Sequence, residues 1–254
     1  MNKLYPIPSF SVLAFSALAI HAHGDVIYSE TFDNNTAGNL GSSSIGWSAY
    51  VGAFATDISG TIPNGGDRMG VADIPGNPSS DGDSYFFASN TGNTQDISWT
   101  GIETGLSLSN VSSISWRMGN ATTATTVKIL VQIGGSWYAS SSDFSNSSTY
   151  TGGTFSSAGA ADDVLQEFTF STDAEDWLEL TLNPGVTMSL GSAPVSDLSS
   201  STITGLGFYV DTNNTFTTAR LDTLQVNSIP EASVFALYSA LSVMALVFTR
   251  RRRN

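Results

Sequence analysis

The 254-residue chain contains no cysteine, and its two histidines lie close together near the N-terminus, at positions 21 and 23. The lack of cysteine excludes disulfides, thiolate metal sites and a cysteine nucleophile. A domain that begins after residue 24 also has no histidine, which excludes a Ser-His-Asp triad and a histidine-ligated zinc site in it. These common catalytic centres are therefore excluded by the residue inventory alone.

Basic residues are also scarce. Between residues 25 and 228 there are 21 acidic residues and four basic ones, a net charge of −17; the basic ones are Arg68, Arg117, Lys128 and Arg220. No basic patch is available to neutralise phosphates, so we predict no binding of nucleic acid. Divalent cations and neutral glycans are better candidate ligands, and acidity that only keeps an exported domain soluble is an equally good explanation.

The composition favours strands over helices. Charged residues make up only 12% of the chain, whereas long helices are typically rich in Glu, Lys and Arg. Residues 111–120 alternate between apolar and polar side chains, with Ile114, Trp116 and Met118 on one face, which predicts a half-buried strand. Residues 126–140 predict a hairpin, because two adjacent glycines separate two apolar runs.

Further short strands are predicted along most of the body of the chain, at residues 25–32, 83–90, 164–171, 177–182, 203–212 and 219–228. No strong helical period precedes residue 229. We therefore predict an all-β fold: one antiparallel β-sandwich of the jelly-roll type, or a barrel, over residues 25–228.

Both ends of the chain have the features of targeting segments. Residues 1–24 are predicted to be a signal peptide, with Lys3, an apolar run at residues 10–20 and a small-residue cleavage pattern ending at Gly24. Residues 234–248 are apolar and predict a single C-terminal transmembrane helix, although a spanning helix usually needs about 20 residues. The arginines that follow would remain on the cytoplasmic side.

The C-terminal residues 229–254 resemble the PEP-CTERM sorting signal. Three features come in the order of that signal: the motif Pro230-Glu231-Ala232, the apolar run, and the terminal cluster Arg250, Arg251, Arg252 and Arg253. Ala232 stands where the family commonly has a second proline. The resemblance implies an exported protein of a Gram-negative bacterium that makes exopolysaccharide. The precursor would be held transiently in the inner membrane, processed near the motif by an exosortase, and then located at the cell surface or in the extracellular matrix. An ordinary tail anchor is the alternative.

The body of the chain resembles jelly-roll sandwiches of the carbohydrate-binding-module type. The resemblance is carried by "YSETFDN" near the start, "VQIGGSWYAS" in the middle, and "GLGFYVD" and "ARLDTLQV" at the end. It implies a candidate structural calcium ion, with oxygen ligands from Glu30 or Asp33 and from Asp222. The alternative is that Asp33 belongs to a turn and Asp222 caps a strand.

Four aromatic residues near predicted turns are candidate glycan contacts, because an aromatic face suits the apolar side of a sugar ring; they are Trp47, Tyr50, Trp137 and Tyr138. Core packing is the alternative for each. Glu175 and Glu179 would share a face if residues 173–179 formed one strand, which is the arrangement that a polysaccharide hydrolase would need.

The leading hypothesis is a non-catalytic surface or matrix protein associated with exopolysaccharide and delivered by the sorting signal. A carbohydrate-binding module with a specific glycan ligand is the alternative, and a polysaccharide hydrolase is a third.

Overall fold

The computed structural model describes residues 24–33, 38–60, 62, 66–73, 84–91, 98–119, 125–145, 164–211 and 218–230. The described residues form one compact unit, Gly24–Pro230. The predicted signal peptide before Gly24, the apolar run, and the sorting motif from Glu231 through Ala232 to the terminal arginines lie outside them. In the described part of the chain, no helix has the length and apolar character needed to cross a membrane.

The described residues contain fifteen strands and two short 3₁₀ turns. The first eight strands are β1 (Val26–Glu30), β2 (Gly38–Gly41), β3 (Ser48–Val51), β4 (Thr56–Asp57), β5 (Gly66–Asp73), β6 (Tyr85–Thr91), β7 (Ser98–Leu108) and β8 (Val111–Met118). The remaining seven are β9 (Thr126–Ile133), β10 (Ser136–Ser140), β11 (Val164–Thr169), β12 (Trp177–Asn183), β13 (Thr187–Leu190), β14 (Ile203–Asp211) and β15 (Thr218–Ser228). The 3₁₀ turns are Ser42–Ile45 and Ala174–Asp176.

The strands form two antiparallel sheets. The first sheet has the order β11-β8-β15-β6-β5-β2, and β1 pairs with β15 beside β6. The second sheet has the order β13-β12-β10-β9-β14-β7-β3-β4. The predicted all-β sandwich is confirmed.

The main core lies between the two sheets. In β8, Ile114, Trp116 and Met118 are fully buried, while the polar residues between them point the other way, as the strand period of two requires. Four of the five tryptophans are almost fully enclosed by the protein, namely Trp47, Trp99, Trp116 and Trp177. Large aromatic side chains therefore supply much of the apolar area that stabilises the sandwich.

A second apolar cluster lies on the opposite face of the second sheet. In β9, Ile129 and Val131 face the main core, whereas Leu130 between them is equally buried but belongs to this other cluster. The members of the second cluster are Ala55, Ile102, Leu130, Trp137, Ala139, Leu180, Met188 and Tyr209. The second sheet is thus buried on both faces around β9 and β14.

Two backbone hydrogen bonds explain why the second cluster is buried. The Met188 N–H donates to the Ala53 carbonyl at 2.8 Å, and the Gly185 N–H donates to the Ala55 carbonyl at 3.0 Å. Met188 lies on one edge strand of the second sheet, and Ala53 and Ala55 lie in the turn at its other edge. The sheet therefore curls until its two edges meet, and the β12–β13 hairpin covers the face that a more open sheet would expose.

The sequence-based strands agree with β1, β6, β8, β11, β12, β14 and β15, and the predicted β9–β10 hairpin forms with Ser136 paired to Ile133 across the two glycines. No sequence pattern predicts the short strands at residues 38–57, or β5, β7 and β13. Residues 173–179 do not form one strand, because residues 174–176 form a 3₁₀ turn and β12 begins only at Trp177. Glu175 and Glu179 therefore do not lie on one strand face.

Candidate functional site

Trp47 does not lie at the surface, as a glycan contact would require. It is 1% exposed and packs in the main core against Phe32 and Phe86, with ring centroids 5.2 Å away in both cases. Ala49 and Val51 follow it into the same core, so the alternation of β3 starts at Trp47 and turns its indole inward. The prediction of a surface position for Trp47 is wrong for this reason.

The other three predicted glycan contacts lie on or beside the curled second sheet. Tyr50 is half-buried and packs against the second cluster, to which Trp137 belongs with 9% exposure. Tyr138 points to the opposite face of β10 and packs against the main core. Trp137 and Tyr138 nevertheless both line an open cavity of about 230 Å³ that also contains Glu179. Whether any of the three contacts a glycan stays a prediction.

The candidate calcium ligands are Glu30 or Asp33 in the opening segment and Asp222 on β15. Among the described residues, no three acidic or histidine side chains are placed to hold one metal ion. Asp222 is fully buried, and its Oδ1 accepts the Thr223 N–H at 2.7 Å. Glu30 Oε1 accepts the Phe32 N–H at 2.6 Å. Asp33 lies near Glu30, but a calcium site here would depend on backbone carbonyls. It stays a prediction, which a calcium titration by calorimetry would check.

Half-buried acidic groups also gather beside β1. The Tyr28 hydroxyl donates a hydrogen bond to Glu103 Oε2. Burial, followed by this hydrogen bond, raises the pKa of the Tyr28 hydroxyl. Burial is also the largest cause that raises the pKa of the Glu30 carboxyl, and the neighbouring carboxylates Glu103 and Asp33 add to it. This corner of the sandwich therefore disfavours further negative charge, and an anionic ligand would be repelled from it.

A different cavity lies on the outer face of the first sheet, over β6. Met69, Phe86 and Ala219 point into the main core, so the residues that alternate with them point outward. Two of these outward residues, Arg68 on β5 and Arg220 on β15, line the cavity from the strands on either side of β6. We call it the arginine cavity, and its volume is about 120 Å³.

The floor of the arginine cavity is aromatic. Tyr85 and Phe87 are two residues apart on β6, and their ring centroids lie 6.5 Å apart at an interplanar angle of 71°. They are only 3% and 4% exposed, although they point away from the main core. The Arg220 guanidinium carbon lies 6.0 Å from the centroid of the Tyr85 ring, which is the range of a cation–π contact.

Small polar groups complete the described lining. At one end, the Thr218 hydroxyl donates to Ser89 Oγ at 3.2 Å, and Arg68 Nη2 donates to the same atom at 3.4 Å. At the other end, Asn39 on β2 is exposed and pairs in register with Ala72, which pairs with Tyr85. Four strands thus bring amide, hydroxyl, guanidinium and aromatic groups to one place.

The sequence-based interpretation missed the arginine cavity. Its residues are spread from position 39 to position 220, and no short motif joins them. Only the register of β5, β6 and β15 places Arg68 and Arg220 around the same ring pair.

No protein-family model matches the chain, and no curated protein matches it. The resemblance of residues 229–254 to a sorting signal therefore rests on its motif alone. Among solved structures, the chain is similar to a family 11 carbohydrate-binding module from Clostridium thermocellum in complex with a β-1,3-1,4-mixed-linked tetrasaccharide, at 12% identity over 77% of this chain and 99% of that one, with a TM-score of 0.43.

Two further solved structures are similar at the same low level. One is TmCBM61 in complex with β-1,4-galactotriose, at 9% identity over 79% of this chain and 99% of that one, with a TM-score of 0.35. The other is the K1 cleaved adhesin domain of Lys-gingipain from Porphyromonas gingivalis W83, at 13% identity over 80% and 98% of the two chains, with a TM-score of 0.36. Likeness of this degree says nothing about the ligand of this chain.

Proposed function

We propose that this protein is an exported, non-catalytic carbohydrate-binding protein, and that a glycan binds in the arginine cavity. The observation that carries the proposal is the convergence of Asn39, Arg68 and Arg220 with the aromatic floor of Tyr85 and Phe87. Sugars present hydroxyl groups around a ring with apolar C–H faces. The amide and guanidinium groups complement the hydroxyl groups, whereas Tyr85 and Phe87, at 3% and 4% exposure, form the base on which these polar groups lie and offer no open stacking face.

The size of the cavity limits what it can hold. Its volume of about 120 Å³ is well below the roughly 300–1,000 Å³ of pockets that enclose a whole drug-sized ligand. It suits one sugar unit of a longer chain, whose neighbouring units would lie over the outer face of the first sheet. Binding through one such subsite would be weak for a single sugar and would gain from repetition along a polysaccharide.

The proposal favours binding over hydrolysis because of the chemistry of the lining. Hydrolysis of a glycosidic bond usually needs two carboxyl groups on either side of that bond. The described residues that line the arginine cavity include no aspartate or glutamate. A glycan held there by the described residues would therefore be bound and left intact.

A glycan array followed by calorimetry with the purified full chain tests the proposal. We expect binding to at least one polysaccharide, and we expect Asn39→Ala to weaken it without changing the melting temperature, because Asn39 is exposed. Asn183→Ala, at an exposed position on the second sheet, is the matched control and should bind as the unchanged protein does. A folded protein that binds no glycan, or equal losses in both variants, would contradict the proposal. Release of reducing ends from the bound glycan would contradict its non-catalytic part.

We also propose delivery through the sorting signal at residues 229–254. A protein bound for an exopolysaccharide matrix would meet its ligand at the cell surface, so glycan binding and this route of export support each other. Mass spectrometry of the mature protein from its own host checks the route. A product that ends near Pro230 is expected, and an intact chain ending in Arg253-Asn254 would rule out processing.

A further inference from the structure

We infer that the glycan site continues from the arginine cavity past Asn39 into a second cavity, and that its ligand is a neutral polysaccharide bound through several consecutive sugar units. This inference rests on the proposed function and adds the class of the ligand and the length of chain that it presents. The second cavity has a volume of about 320 Å³. It lies at the edge of the first sheet, where β2 is the last strand.

Serine residues and backbone form much of the second cavity, which we call the serine cavity. Ser43 and Ser44 are exposed in the 3₁₀ turn that follows β2, and Gly60 and Ile62 line the cavity together with β2. The described lining contains hydroxyl, amide, apolar and backbone groups and no charged side chain. Its polar groups can exchange hydrogen bonds with the hydroxyl groups of a neutral sugar.

The two cavities meet at Asn39, which lines both of them. Ile62 connects them as well, because it lines the serine cavity and packs against the cluster that holds Tyr85 and Phe87. Asn39 on β2 is opposite Ala72 on β5, which is opposite Tyr85 on β6. The path from Tyr85 to Asn39 therefore crosses two strand spacings, roughly 10 Å. A ligand that occupies both cavities must be longer than one sugar ring.

The wall of the serine cavity is held in place by the protein itself. A β-carbon at Gly41 would overlap the Gly60 carbonyl oxygen, so the absence of a side chain at residue 41 lets Gly60 lie directly on β2. Ser59 Oγ donates to Asp57 Oδ1 at 2.6 Å, and the Ser43 N–H donates to the Ser59 carbonyl at 3.0 Å. A wall held in this way needs little ordering when a ligand binds, which favours affinity.

The charge of the protein favours a neutral ligand. The body carries a net charge of −17, which repels a polyanionic glycan. In the arginine cavity, Arg68 Nη2 donates to Ser89 Oγ and Arg220 Nη1 donates to the Gly119 carbonyl, each at 3.4 Å. Both guanidinium groups thus bond to uncharged oxygens, and they can donate to sugar hydroxyls in the same way.

The test measures how affinity depends on the length of the ligand. The full chain is titrated by calorimetry with cello-, xylo-, manno- and galacto-oligosaccharides of two, four and six units. We expect at least one series to bind, with an affinity that rises about tenfold or more from two to six units, the effect of one or two added hydrogen bonds. A six-unit galacturonate oligosaccharide should bind less tightly than the best neutral hexasaccharide, and the reverse order would overturn the neutral class.

Variants assign the gain with length to the serine cavity. Gly60→Phe should fill the cavity without displacing the backbone, because a β-carbon at Gly60 meets nothing within 4 Å. It should reduce the ratio of hexasaccharide to disaccharide affinity to less than about twofold. Asn39→Ala should weaken binding at both lengths, because Asn39 lines both cavities. The matched control is Gly191→Phe, at an exposed position just after β13, which should keep the ratio of the unchanged protein. Melting temperatures confirm that each variant is folded.

The outcomes separate the inference from the proposed function. If affinity does not rise with length, or if none of the four series binds although the array shows another glycan that Asn39→Ala weakens, the inference is overturned and the proposed function stands. Equal changes of the ratio in Gly60→Phe and Gly191→Phe would also overturn the inference alone. A folded protein that binds no glycan of any kind would overturn both.

Discussion

Replacement of Gly101 by alanine should destabilise the sandwich. Gly101 lies in β7, and a β-carbon built on it would lie 2.7 Å from Met69 Cε and from two carbon atoms of the Phe86 ring. The methionine end can move aside, but the Phe86 ring is held between Phe32 at 5.1 Å and Trp47 at 5.2 Å between ring centroids. The added methyl group would therefore overpack the centre of the main core.

The expected loss follows from two opposing effects. Overpacking of a well-packed core costs about 1–3 kcal/mol, and alanine regains about 0.4–1 kcal/mol by restricting the unfolded chain. The net loss in the free energy of unfolding should be about 1–2 kcal/mol, which lowers the melting temperature of a domain of this size by about 2–8 °C. Urea unfolding followed by tryptophan fluorescence measures it, since four tryptophans are buried.

Gly60→Ala is the matched control, because a β-carbon at Gly60 meets nothing within 4 Å. That variant should be as stable as the unchanged protein or slightly more so. The double variant Phe86→Ala, Gly101→Ala should lose less stability than the sum of the two single variants, because removal of the Phe86 ring gives the new methyl group room. A Gly101→Ala protein as stable as Gly60→Ala, or strictly additive losses, would refute this account of the packing between the sheets.

Two further predictions concern the second cluster and the acidic corner. Leu130→Ala should cost about 2–5 kcal/mol in unfolding free energy, because Leu130 is fully buried under the β12–β13 hairpin. The control Leu165→Ala, at a position with 59% exposure, should cost less than about 0.5 kcal/mol. Equal losses would mean that the second cluster is not a core. Glu30→Gln should stabilise the protein at pH 7, because burial raises the pKa of the Glu30 carboxyl. Ionisation of this carboxyl therefore costs stability as the pH rises from about 4.3, the usual pKa of glutamate, through the raised pKa. The advantage of the variant should vanish below about pH 4, and a difference that does not depend on pH across unfolding curves would contradict this prediction.

Strands with a clear period of two could be predicted from the sequence, and β7 could not. Strand β8 alternates apolar and polar residues because one of its faces meets the core and the other does not. Strand β7 contains glycine and threonine at buried positions, and this composition predicts at most a weak strand. Gly101 is needed there because the opposite sheet approaches too closely for a side chain, and that approach exists only in the folded protein.

The predicted glycan contacts illustrate the same limit. Position near a turn does not tell which face of a strand an aromatic ring occupies. Trp47, predicted to lie at the surface, belongs instead to the main core. Trp137 does lie on the outer face of the second sheet, but that sheet curls over its own face and buries most of the ring. A β-carbon at Gly205 would lie 2.8 Å from Trp137 Cη2, so the absence of a side chain at residue 205 lets the indole lie against the sheet.

The sequence by itself determined the all-β class, the β9–β10 hairpin and the alternation of the clearest strands, because these depend on local turn chemistry and on the period of two within one segment. Composition also determined which catalytic centres are excluded, since no fold can supply cysteine or histidine that the body lacks. Only the tertiary structure decided that the second sheet closes on itself and that Arg68 and Arg220 share one cavity. Both follow from the register of strands far apart in the chain, which no single stretch of sequence encodes.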